Sequence, residues 1–129
     1  MSSTIDIVRR SYDAFSSGDM DEFGRVWHPQ ITHAIPGATP FSGTHRGIDA
    51  VLANMGAMAE SADGAMSADL HNIVADSDGR AAAVITSSVT RGGQTVEEVH
   101  VLLFTVADDK ITEIRTMVPD VDDFSRFWS

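Results

Sequence analysis

Cysteine is absent from this sequence. Its absence excludes disulfide bonds, thiolate nucleophiles, cysteine-ligated zinc and iron–sulfur clusters. Basic residues are scarce: nine Lys and Arg stand against nineteen Asp and Glu, leaving a net charge of −10. A chain of that sign repels phosphate backbones and anionic lipid, so no nucleic-acid partner and no membrane docking are expected. Long apolar runs are missing too; none approaches the roughly 18 residues that a transmembrane helix needs. The stretch from Met1 to Arg10 lacks the basic segment and apolar block of a signal peptide. These absences together predict a cytoplasmic protein.

What is present suffices for one folded unit. A chain of 129 residues has the size of a single domain spanning 1–129, able to bury roughly two-thirds of its unfolded surface. With 43% hydrophobic and 22% charged residues, it has a globular balance rather than a disordered one.

Ile5, Val8, Tyr12 and Phe15 recur at helical spacing and predict a first helix over Ser3 to Ser17. Ser3 and Asp6 read as its capping pair, and Gly18 as its stop. Asp19 and Glu22 open a second helix that buries Phe23, Val26 and Trp27 and ends at Pro29. Gln30 to Ile35 reads as a strand with Ile31, His33 and Ile35 on one face. Two prolines and three glycines make Pro36 to Gly47 a loop. A third helix follows from Ile48 to about Ala59, with Val51, Leu52, Met55 and Met58 in register.

The second half reads as strands. Met66–Ala75, Arg80–Arg91, Gln94–Val106 and Lys110–Val118 are separated by turns at Asp76–Gly79, Gly92–Gly93 and Asp108–Asp109. The tail from Pro119 to Ser129 carries Val121, Phe124, Phe127 and Trp128, too apolar to be left in solvent. Helices followed by an antiparallel meander predict an α+β layer fold, with helices on one face of a curved sheet and the other face free for a partner subunit.

At this point the sequence resembles the SnoaL-like group of the nuclear transport factor 2-like superfamily, which includes ketosteroid isomerases, polyketide cyclases, limonene epoxide hydrolases and scytalone dehydratases. The resemblance runs from Ile7 to Trp128. Its carriers are Ser17-Gly18-Asp19-Met20-Asp21, His33-Ala34-Ile35-Pro36-Gly37 and Phe41-Ser42-Gly43-Thr44-His45-Arg46-Gly47. Glu98-Val99-His100-Val101 and the ending Asp123-Phe124-Ser125-Arg126-Phe127-Trp128 complete them. The resemblance implies a cone-shaped α+β barrel with a largely apolar internal pocket, and a homodimer through the sheet. Its known chemistries do not transfer directly. Ketosteroid isomerases place an Asp base where this chain has Ile35, a Tyr where it has Ser11 (with Tyr12 adjacent), and a protonated acid where it has His100. Limonene epoxide hydrolases want an Asp where Thr116 follows Arg115.

His100 is the leading candidate for chemistry. Strand alternation puts it on one face with Glu98, Leu102 and Phe104. An imidazole there would donate a hydrogen bond to a carbonyl or enolate oxygen, or shuttle a proton; the alternative is a half-buried histidine held by a neighbouring carboxylate or carbonyl. His33 is the second candidate, as base or substrate-positioning group, its alternative being a packing residue or a clamp for the following loop. Glu98 either orients His100 or sits solvated at the rim. Glu113 and Arg115 read as an outward-facing pair. Tyr12, Trp27, Ile35, Phe41, Met55, Ile85, Glu98, Leu102 and Thr116 are the expected wall of the pocket. The five histidines show no metal-ligand spacing, and no cofactor motif is present, so neither metal nor cofactor is expected. The expected function is an isomerase, cyclase or dehydratase acting on a hydrophobic carbonyl or polyketide-like molecule. A non-catalytic carrier with the same pocket, and a structural dimer with a filled cone, are the rival readings.

Overall fold

The computed structural model describes residues 3–63 and 66–129. Ser3 caps helix α1 (Thr4–Ser17) through a reciprocal capping box with Asp6, and Gly18 closes it with φ at 71°. Helix α2 (Met20–Val26) starts on the Asp19 side chain, which accepts from the Glu22 amide.

Strand β1 (Trp27–Ile35) begins three residues earlier than the sequence suggests. Pro29 sits inside it rather than ending a helix. The reason lies in the ladder: pairing with β6 (Lys110–Met117) is interrupted between Trp27 and Thr32. Pro29 therefore falls where no partner amide is required. The loop that follows also contains structure not foreseen, a short strand β2 (Gly43–Arg46) antiparallel to β1. Helix α3 (Ile48–Ser61) ends two residues later than expected.

Strands β3 (Met66–Ala75), β4 (Arg80–Arg91) and β5 (Gln94–Ala107) form the predicted meander with β6. Gly92 and Gly93 turn β4 into β5, and Asp108 and Asp109 turn β5 into β6, all with positive φ as such tight hairpins require. The tail forms a fourth helix, α4 (Val121–Trp128), capped by Asp120. No helix among the described residues is long and apolar enough to cross a membrane.

The sheet order is β2-β1-β6-β5-β4-β3. Neighbours are antiparallel except β1 and β6, which run parallel. The sheet does not close into a barrel, and β2 and β3 are its edges. Helices α1, α2 and α3 cover its concave face, burying Ile7, Val8, Phe23, Trp27, Val51 and Phe104 in a main core. A second cluster, with Ile35, Phe41, Met58, Val89, Phe124 and Trp128, lies under α4.

Candidate functional site

Alternation along β5 turns Glu98, His100, Leu102 and Phe104 to the concave side, where the helices leave a cavity of about 740 Å³. Ile85 of β4 stands opposite His100 in the ladder, and Ser87 opposite Glu98. His33 and Ile35 of β1 and Thr116 of β6 continue the same floor. Tyr12 and Met55 form part of the helical wall, and Trp27 borders the inner end beside buried Phe23. Ten of the eleven residues expected at the pocket thus line one cavity.

Phe41 is the exception. It is absent from the lining and packs edge-on against Trp128, ring centroids 5.6 Å apart. The Thr39 hydroxyl accepts from the Phe41 amide, and this turn directs the ring under α4 rather than into the cavity. Its carbonyl is held as well, accepting from Asn54 Nδ2 and contacting His45 Nε2.

The two imidazoles sit in different environments. His100 Nε2 lies 2.8 Å from Glu98 Oε1. The ring is buried while the carboxylate side chain remains 28% exposed. A carboxylate only accepts, so Nε2 carries a proton and Nδ1 is the basic nitrogen of the neutral ring. The same contact satisfies the hydrogen-bonding need of a buried imidazole.

His33 Nε2 lies 2.9 Å from Thr116 Oγ1, and its Nδ1 is enclosed without a partner. Burial, reinforced by the charge of nearby His45, lowers the His33 pKa to about 4. A group with that affinity takes up no proton near neutral pH. At neutral pH the ring is therefore a neutral hydrogen-bonding group.

Tyr12 stacks edge-on against Phe104 at 6.0 Å, and its hydroxyl is enclosed with no partner. Burial raises its pKa well above the ordinary value, keeping it a neutral phenol. Buried Ser11 beside it is engaged elsewhere: its Oγ accepts from Trp27 Nε1 at 2.9 Å. Glu113 and Arg115 are exposed, as their alternation predicts.

The largest element missed from the sequence is α4. Phe124, Phe127 and Trp128 close one side of the cavity, and exposed Asp123 and Arg126 stand at its margin. The signal was available: Asp120 and Asp123 form a capping pattern ahead of aromatics at spacings of three and four. Two clasps hold the helix. The Ala38 amide donates to Ser125 Oγ at 3.0 Å. Arg91 Nη1 donates to the Phe127 carbonyl at 2.6 Å and to that of Ser129 at 3.0 Å, with its guanidinium 5.9 Å from the Trp128 ring. Among the described residues, no cluster of three or more His, Asp and Glu is placed to hold a metal ion.

Comparison with known proteins matches residues 8–114 to the SnoaL-like domain. An uncharacterized protein of Mycobacterium tuberculosis is 32% identical over 125 residues, covering 97% of this chain and 95% of the relative. Among solved structures, Bal32a from a soil-derived mobile gene cassette superposes with a TM-score of 0.91 at 25% identity, covering 98% of this chain and 96% of that one. A Xanthomonas campestris protein of unknown function, described as having a cystatin-like fold, gives 0.90 at 30% identity, covering 99% of each chain. With an open curved sheet, helices across its concave face and a family match spanning most of the chain, this protein belongs to the SnoaL-like domain family.

Proposed function

We propose that this protein is an acid–base enzyme of isomerase, cyclase or dehydratase type acting on an apolar carbonyl compound, with His100 as its proton-transfer group. The observation that carries this reading is the Glu98–His100 contact at 2.8 Å inside a mainly apolar cavity. With the Nε2 proton directed at Glu98, the Nδ1 lone pair of His100 takes a proton from carbon next to the substrate carbonyl. The Glu98 carboxylate offsets the positive charge that forms on the ring. Return of a proton from the ring to another carbon, after exchange with solvent or without it, completes an isomerisation with no net change in protonation. Developing negative charge on the carbonyl oxygen calls for a neutral donor; the hydroxyl of Ser87 belongs to a residue of the same lining. His33, neutral and tied to Thr116, belongs to the pocket floor and is given no proton-transfer role.

The test is deuterium uptake by cyclic ketones in heavy water, followed by proton NMR. Wild type should catalyse exchange next to the carbonyl, and His100→Phe should lose it by roughly 10²–10⁴-fold. If no ketone exchanges although several bind saturably, the carrier reading replaces this one. The observation favouring a carrier is the absence of a carboxylate from the position of Ile35, which is buried and apolar.

The proposed assembly is a homodimer through the outer sheet face. Val99 and Leu103 of β5, Met117 of β6 and Val74 of β3 expose 40–56% of their surface, and strand register puts them on the side facing away from the cavity. A monomer in sedimentation at micromolar concentration would rule the dimer out.

A further inference from the structure

The charges around the cavity are uneven. Two carboxylates belong to its lining, Glu98 and Asp123. Asp123 is paired with Arg126 three residues further along α4, and both side chains are largely exposed. Arg126 is the one permanently cationic residue among the described lining. Glu98 has no such counter-ion. Its partner is His100, and a protonated His100 would only bring that pair to zero net charge. His33 adds no positive charge, since its burial keeps it neutral. Arg91 lies outside the lining, its guanidinium directed at the Phe127 and Ser129 carbonyls. The remaining polar lining includes Ser87, Gln94 and Thr116, all uncharged. Inside a space walled by apolar side chains, one carboxylate of this kind acts over a longer range than it would in water.

We infer that Glu98 makes the cavity selective by charge, so that it accepts neutral apolar ligands bearing a hydroxyl or carbonyl and rejects the corresponding carboxylates. The inference rests on the ligand-binding reading above and narrows it. Substrates would be alcohols, ketones, aldehydes or esters, and an acid would enter only after its carboxyl had been esterified or reduced. Apolar walls alone already disfavour an anion, because its hydration is lost on entry. The share due to Glu98 is the part that disappears when that side chain loses its charge and keeps its shape.

The experiment compares naphthalenemethanol with naphthoate, two probes sharing one ring system, by fluorescence titration at low ionic strength and about pH 8, where naphthoate is an anion. Wild type should prefer the alcohol by at least about tenfold, and Glu98→Gln should cut that preference by about threefold or more, chiefly by strengthening naphthoate binding. Asp69→Asn, which removes one negative charge from an exposed position on β3, should leave the preference unchanged. An equal drop in both variants would assign the effect to net charge and overturn the inference. So would equal affinities of wild type for the two probes, with the ligand-binding reading left standing. Failure of both probes to bind would overturn that reading and the inference together.

Discussion

Glu98 and His100 stand two positions apart on β5, and Glu98 Oε1 meets His100 Nε2 at 2.8 Å because alternate strand positions share the concave face. The contact runs along a strand rather than across the sheet, so it needs no other element to set its spacing. Opposite it, Ser87 and Ile85 fill the ladder positions on β4. The outcome is a pair with one member buried and the other reaching toward solvent.

Removing the acceptor should be felt in stability. Glu98→Ala leaves the buried His100 N–H unpaired and should lower unfolding free energy by about 1–3 kcal/mol. Glu98→Gln keeps a carbonyl acceptor and should restore at least about half of that. Urea denaturation of both variants measures it; equal losses would put the stabilisation in the charge instead of the hydrogen bond.

Tyr12 makes the opposite prediction. Its hydroxyl is enclosed without a partner, so Tyr12→Phe removes a desolvated group and no hydrogen bond. The ligand-free variant should be as stable as wild type or more stable by about 1 kcal/mol, as read by thermal melting. A loss of more than about 1 kcal/mol would mean that the hydroxyl has a partner.

His33 ties stability to pH. Its folded-state pKa of about 4 lies below the ordinary 6.5, so between these values the unfolded chain binds the proton more readily. Stability from this group is complete above about pH 6.5 and falls as pH drops toward 4. Over that window the loss should be on the order of 3 kcal/mol, and His33→Asn should show a flatter dependence. Denaturation midpoints at a series of pH values provide the test, and parallel curves would refute it.

Arg91 should control the order of α4. Arg91→Met keeps an apolar stem near Trp128 but removes the donors to the Phe127 and Ser129 carbonyls. Amides of α4 should then exchange with solvent about tenfold faster or more, while those of β4 and β5 stay protected. Hydrogen exchange by mass spectrometry distinguishes this from general destabilisation, which would speed both.

The concave face of β5 was legible in the sequence because a period of two needs no knowledge of partners: Glu98, His100, Leu102 and Phe104 alternate with outward residues. Helix α1 was equally plain, with its stripe, its cap and Gly18 all agreeing. Pro29 misled because proline ordinarily stops an element, and only the break in the β1–β6 ladder makes it tolerable inside a strand. Strand β2 was hidden because Gly43-Thr44-His45-Arg46 has little strand character of its own and is held by pairing with Thr32 to Ile35. The His33–Thr116 contact, the enclosed Tyr12 hydroxyl and the turning away of Phe41 each depend on residues distant in the chain, which no local pattern encodes.

The parallel pairing of β1 with β6 also governs how the chain reaches its native state. His33 and Thr116 are 83 positions apart, and contacts of that span form slowly because a long segment must close before any pairing energy is gained. An intermediate containing only the meander of β3 to β6 would display Glu98 and His100 on a bare sheet with no enclosing walls. A ligand therefore finds nothing to hold until folding is essentially complete. Added during refolding it should leave the folding rate unchanged, and added to the native protein it should slow unfolding alone.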